Sequence, residues 1–187
     1  MKQKILIGVA GMPGAGKATV EEIVRGMGYA VVVMGDEVRD EAKRRGLEPA
    51  PENLGIVMLK LREEEGPSVV AERCTPKIEK AYGNIVVVDG IRSPQEVEEF
   101  KRHFQRFSLI AIHASPETRF QRLFNRKRSD DPKVWDTFAE RDLRELSVGL
   151  GDVIAMADYM IVNEGTKNQL KRQVHKVLEV AIGKWTR

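Results

Sequence analysis

The sequence predicts an α/β fold: a five-stranded parallel sheet covered by helices on both faces, a three-layer sandwich. Three observations lead there. Strand and helix patterns alternate along the whole chain. The strand patterns are short, continuously apolar runs, as expected of strands buried on both faces. A glycine-rich turn joins the first strand to the first helix. Residues 4–10 are the first apolar run, and 17–27 read as a helix entered from the glycine turn. A second strand, 30–34, is built of small and β-branched residues and leads to a short charged helix, 36–45. Two helices follow, 51–65 and 67–81, divided at Gly66-Pro67. The third strand is 85–89. Ser93-Pro94-Gln95-Glu96 is a capping-box start, with Ser93 as N-cap and Pro94 at the first helical position, for a helix running to 103. The fourth strand is 107–113. Ser115-Pro116-Glu117 opens a helix to 125, a polar break covers 126–132, and 133–146 is helical again. The fifth strand is 159–162, and 167–182 is a closing helix.

The 187 residues suit one domain spanning 1–187. Two stretches exceed a simple crossover, about 35–82 and about 126–133, and are candidates for mobile parts that cover a substrate. Hydrophobic residues make up 42% of the chain, which excludes a disordered tail. The 31 basic against 28 acidic residues give +3, a mild basicity that suits an anionic small substrate as well as nucleic acid. No basic tract is interleaved with aromatics, so nucleic acid is not expected as the main ligand. Cys74 is the single cysteine. It excludes an intrachain disulfide and a cysteine-rich zinc site, and it fits a reducing, cytoplasmic setting. The apolar runs are far too short to span a bilayer, and the N-terminus does not read as a signal peptide.

Gly11, Gly16 and Lys17 satisfy G-x-x-x-x-G-K directly after a strand and at the start of a helix, the context this motif requires. Along the loop Gly11-Met12-Pro13-Gly14-Ala15-Gly16-Lys17, glycines allow backbone N–H groups to turn inward around a β-phosphate. The helix N-terminus adds partial positive charge. Lys17 reaches the β- and γ-phosphates, so the loop is read as binding ATP or another nucleoside triphosphate. The motif asks for Ser or Thr after the lysine as a Mg²⁺ ligand; here Ala18 holds that place and Thr19 follows, so Mg²⁺ is assigned to Thr19, carboxylates and water.

Asp89 ends an apolar strand, where ligands bind in such sheets, and suits a magnesium-bound water; the plainer alternative is a turn cap before Gly90. Arg92 faces the same crevice. Arg119, Arg122 and Arg126 share one helical stripe, beside an apolar stripe of Phe120, Leu123 and Phe124 that docks the helix. A solvated basic face is the alternative. Arg141 and Arg144 lie three apart on the next helix and form a second clamp or else surface pairs with Glu140 and Glu145. His103, His113 and His175 have no spaced metal partner and read as structural. Trp135 is placed under the break at 126–132, and Trp185 in a loose tail.

Gly-Met-Pro-Gly-Ala-Gly-Lys-Ala-Thr resembles the loop of adenylate-kinase-like nucleoside monophosphate kinases, commonly Gly-x-Pro-Gly-x-Gly-Lys-Gly-Thr. The second-place threonine is then a family feature. Gly35-Asp36-Glu37-Val38-Arg39 is similar to that family's Gly-Asp-x-Leu-Arg, and Asp89-Gly90-Ile91-Arg92 to a shortened Asp-Gly-Phe-Pro-Arg. The resemblance implies that Arg39 and Arg92, with Asp36 alongside, bind the acceptor phosphate, that Asp89 belongs to the Mg²⁺ shell, and that 35–82 is the acceptor-binding region. It likewise implies that Arg122, Arg126 and Arg128 belong to an arginine-rich lid over the donor phosphates. Ser115-Pro116-Glu117-Thr118 and residues 157–165 are similar to segments of dephospho-CoA kinases. Over nearly its full length the chain resembles an archaeal family of adenylate-kinase-related P-loop proteins.

The expected reaction is transfer of the γ-phosphoryl of ATP to a phosphate on a nucleotide, with Lys17, Asp89, Arg92, Arg122, Arg126 and Arg128 acting in catalysis. Asp36, Arg39, Arg92 and Arg141 would bind the acceptor. An anionic acceptor needs no strong general base. Two alternatives stay open: a hydroxyl kinase of the dephospho-CoA type, for which Asp36 is the candidate base, and a nucleotide-binding regulatory or RNA-associated protein with slow ATP hydrolysis.

Overall fold

The structure, a computed structural model, describes residues 4–48, 50–126 and 131–186. Strands β1 (Ile5–Ala10), β2 (Ala30–Val33), β3 (Ile85–Ile91), β4 (Arg106–His113) and β5 (Tyr159–Val162) form one parallel sheet in the order β2-β3-β1-β4-β5. The helices are α1 (Lys17–Gly26), α2 (Met34–Arg44), α3 (Pro51–Glu65), α4 (Val69–Lys80), α5 (Pro94–His103), α6 (Pro116–Arg126), α7 (Trp135–Ser147), α8 (Leu150–Ala155) and α9 (Lys167–Thr186).

Strand alternation sorts the core into two layers. Ile5, Ile7 and Val9 of β1 pack with Val20 and Val24 of α1 and Leu170, Val174 and Leu178 of α9. Leu6 and Ala10 point the other way, into a cluster with α2, α3, α4, α5 and α8 that includes Met34, Leu61, Ile78, Phe100 and Leu150. All six residues of β1 are buried, as its continuous apolar run requires. The fold class read from the sequence is the one observed.

The crevice lies at the carboxyl end of the sheet, where β1 gives way to the glycine loop. Pairing of β1 with β3 slips there: Val9 stands opposite Asp89, whereas Ala10 stands opposite Ile91. Gly90 absorbs the extra residue with φ 100°, a conformation that favours glycine. The bulge sets the directions in which Asp89 and Arg92 leave the strand.

One element is added to the reading from sequence, and one expectation is corrected. α8 does not stand out in the sequence, because it has only six residues and its N-cap, Gly149, sits in the left-handed region at φ 97°. Trp185 is no loose tail: α9 continues to Thr186, and the Trp185 indole N–H donates to the Ser108 hydroxyl at 2.9 Å. Among the described residues no helix is long and apolar enough to cross a membrane.

Candidate active site

The loop after β1 is built from neighbours that hold its backbone. Gly16 caps α1 at φ 108°, and the first turn of α1 carries no acidic residue, so the positive helix end meets the loop uncompensated. A Cβ on Gly16 would overlap the side-chain amide of Asn163. That buried amide donates to the Ala15 carbonyl at 2.8 Å, while the Asn163 backbone N–H donates to the His113 carbonyl at 2.7 Å. The end of β5 therefore braces the loop. Asn163→Ala is expected to cost about 1–3 kcal/mol in denaturant unfolding by leaving a buried carbonyl unpaired. It should also weaken binding of an ATP analogue about tenfold in calorimetric titration. Unchanged affinity would show that the brace does not shape the loop.

Lys17 is half-buried at the first position of α1, and its ammonium donates to the carbonyls of Gly11 and, at 3.3 Å, Met12. Burial pulls its pKa below the ordinary lysine value, with the Asp89 charge opposing. Asp89 is 8% exposed, and its Oδ1 is buried with no hydrogen-bond partner. Burial raises its pKa, and Lys17 opposes that rise. Ala18 is exposed, and half-buried Thr19 donates its backbone N–H to the Gly16 carbonyl at 3.0 Å.

The Asp89 shift has a definite sign. With the folded pKa above the unfolded value, the native state holds more protons between the two, so stability falls as pH rises through that window. Asp89→Asn is therefore expected to raise the melting temperature at neutral pH, with the advantage shrinking in acid. The same change should lower turnover by on the order of 10²-fold if the carboxylate serves the metal. Loss of activity together with loss of stability would point to a scaffold role.

Beside the loop opens a cavity of about 230 Å³. Arg39, Arg62, Arg92, Arg141 and Arg144 line it, with an apolar side formed by Met34, Val38, Leu54, Met58 and Val70. Arg92, Glu145 and Arg141 all act on the Lys17 charge, which places the cavity wall within electrostatic reach of the phosphate loop. Two of the arginines are held by buried glutamates. Arg92 donates to both oxygens of Glu145 at 2.9 and 3.1 Å. Arg62 pairs with Glu96 and donates to the Met58 carbonyl at 3.2 Å. Glu96, fully buried, also accepts from the backbone N–H groups of Arg92 at 2.7 Å and Ser93 at 3.3 Å. The capping box read from the sequence thus also fixes the backbone at Arg92 and the side chain of Arg62.

Arg39 is in the cavity wall, bonded to Asp36 at 2.5 Å. Asp36 itself is exposed and is not part of the wall. On α6, Arg122 Nη1 is buried with no hydrogen-bond partner. Glu164 accepts from the Thr118 hydroxyl at 2.7 Å and from the Ser115 N–H, and these bonds, aided by the Arg122 charge, hold its carboxyl below the usual range. Arg126 is paired with Asp131 at 2.5 and 2.9 Å. Arg128 and the rest of 127–130 in the expected lid lie outside the described residues.

The arginine stripe on α6 is divided. Arg119 is 4% exposed and turned inward, paired with Asp142. Trp135 packs on the rings of Phe120 and Phe138 at 5.3 and 5.1 Å. The roles of Arg62, Glu145, Arg119 and Asn163 were not marked in the sequence; Glu96 was marked only as a cap. Among the described residues no group of three or more His, Cys, Asp or Glu could hold a metal.

The glycine loop, the strand order and the crevice define a P-loop protein with a kinase-like fold. A family model described as an AAA domain matches residues 10–139. The chain belongs to the UPF0200 family of archaeal proteins: it is 49% identical to the UPF0200 protein of Hyperthermus butylicus, with 96% of each chain covered. It is 46% identical to the UPF0200 protein of Pyrococcus horikoshii, over 97% of this chain and all of that one. Among solved structures, TT1252 from Thermus thermophilus superposes with a TM-score of 0.65 at 17% identity, with all of both chains covered. A shikimate kinase from Aquifex aeolicus gives 0.56 at 19%, covering 94% of this chain and 96% of that one. A gluconokinase from Sinorhizobium meliloti gives 0.59 at 14%, covering 99% and 98%. At these identities the likeness is one of fold.

Proposed function

We propose that this protein is an ATP-dependent phosphotransferase that moves the γ-phosphoryl group to a phosphate on a nucleotide, a nucleoside monophosphate being the acceptor class. The observation that carries the reading is the convergence of five arginines on one cavity beside Lys17 and the phosphate loop. Planar, multiply donating guanidinium groups suit a phosphate, and the apolar side of the cavity suits the flat face of a base. The resemblance of the loop and of the Gly-Asp-x-x-Arg and Asp-Gly-x-Arg segments to adenylate-kinase-like proteins supports the same acceptor.

On this reading the loop amides and Lys17 hold the donor, and Arg39, Arg92 and Arg141 align the acceptor. Arg122 and Arg126 would serve the donor phosphates, as the family resemblance implies. Catalysis is then mostly positioning and charge neutralisation. The residues present fit Mg²⁺: Asp89 offers a buried carboxylate oxygen with no protein partner, and this ion is usually held by one or two carboxylates together with substrate phosphates. Asp89 and Thr19 would hold it. When bound, it neutralises charge on the donor phosphates.

A hydroxyl acceptor is the second reading, and one observation favours it: Asp89 is a carboxylate with a raised pKa in the crevice. Asp36, the base expected from the sequence, is exposed and bonded to Arg39 instead. The test is ADP release from MgATP in the presence of each nucleoside monophosphate, dephospho-CoA, shikimate and gluconate. Strong stimulation by one monophosphate is the expected result. Stimulation only by an acceptor whose free group is a hydroxyl would replace the proposal with the second reading.

A further inference from the structure

The helix that carries the acceptor-side residues is tied to the phosphate loop by an ion pair whose arginine is buried. Arg119 of α6 donates from Nε to the Ala114 carbonyl at 3.1 Å and from Nη1 to the Pro13 carbonyl, inside the loop, at 3.1 Å. Its two terminal nitrogens grip Asp142 of α7 through both carboxylate oxygens, at 2.8 and 2.5 Å. The guanidinium carbon lies 4.9 Å from the centre of the Phe138 ring, also on α7. An arginine fork fixes direction as well as distance, and burial keeps water from competing for its donors.

One turn beyond Asp142, Glu145 holds Arg92, while Arg141 and Arg144 on the same helix line the cavity. α7 is thus anchored at one point to the donor loop and at the next to the acceptor wall. A surface ion pair needs neither the loop carbonyl nor the ring. We infer that Arg119 and Asp142 are positioning residues that register the phosphate loop against the acceptor cavity through α7. The inference rests on the phosphotransferase reading for its consequence in turnover, but the mechanical link can be read without an acceptor.

Trp135 stands at the start of α7, edge-on to Phe120 of α6 and tilted against Phe138, so its emission reports how the two helices pack. The experiment uses the full chain carrying Trp185→Phe, with Asp142→Asn, Arg119→Lys, or both added. Arg73→Lys, in the ion-pair cluster around Glu41, serves as a control for stability alone. The probe is a non-hydrolysable ATP analogue with Mg²⁺. In the parent chain, binding should shift Trp135 emission. In Asp142→Asn the analogue should still bind within about threefold by calorimetry while the shift disappears. Turnover with the best acceptor should fall about tenfold to a hundredfold with little change in either KM. The double variant should lose no more than the worse single one, because the two residues act as a unit.

Arg73→Lys should lower the melting temperature without either effect. A shift that survives in Asp142→Asn, a parent chain that binds the analogue without any shift, or turnover that stays at the parent value while the melting temperature drops would each overturn the inference. Absence of any acceptor-stimulated turnover in the parent, with the shift present and lost in Asp142→Asn, would remove the phosphotransferase reading and leave the link standing.

Discussion

Lys17→Ala is expected to lower phosphoryl transfer by on the order of 10³-fold while leaving the protein folded. On the proposed reading the ammonium is the cation the loop offers to the β- and γ-phosphates, and a methyl group provides no substitute. Stability should not suffer on electrostatic grounds. A lysine whose folded pKa lies below its unfolded value destabilises the native state at neutral pH, because the unfolded chain then holds the proton more tightly. Removing that ammonium relieves this cost and gives up its bonds to the carbonyls of Gly11 and Met12 and its attraction to Asp89. A melting curve and a turnover measurement on the same preparation separate the two effects. Turnover near the parent value would remove the loop from catalysis, whatever else it binds.

The second large effect is expected at Arg92. Arg92→Ala alone would leave buried Glu145 without its partner and confuse binding with folding, so the informative variant is Arg92→Ala combined with Glu145→Ala. Hydrogen bonds to a charged group contribute about 1.5–3 kcal/mol, so acceptor KM should rise about tenfold to a hundredfold. ATP-analogue affinity should hold, because the loop contacts remain. A rise in donor KM with the acceptor term unchanged would move Arg92 from the acceptor wall to the donor side.

The parts legible in the sequence are those whose cause is local. The glycine loop carries its spacing, its preceding strand and its following helix in one short stretch. Ser93 and Glu96 signal their cap from three residues apart. Apolar runs announce the strands because burial on both faces removes alternation. Arg92 and Arg141 could be picked out by their place after a strand or on one helix face, and Arg39 by the family resemblance of its segment; the structure brings all three to one cavity. Partners distant in the chain were not legible. Arg119 reads as part of a basic stripe until Asp142, 23 residues later, is folded onto it. Arg62 finds Glu96 across 34 residues, and Asn163 reaches the loop across 148. Asp36 shows the opposite case, a local partner: Arg39, one helical turn away, pairs with it on the surface. Periodicity fixes which face of an element a residue occupies; it does not say which other element will cover that face.

Taken together, the loop, the buried Asp89 and the arginine-lined cavity make one claim: the group that receives the phosphoryl is itself a phosphate. Phosphorus NMR of the completed reaction with the most stimulating acceptor tests that claim most directly, because it reads the bond that has formed. The account predicts a new phosphoanhydride signal, a pair of coupled phosphorus resonances from the acceptor product, appearing in step with ADP. A new phosphomonoester resonance without such coupling would contradict it and assign the protein to hydroxyl phosphorylation.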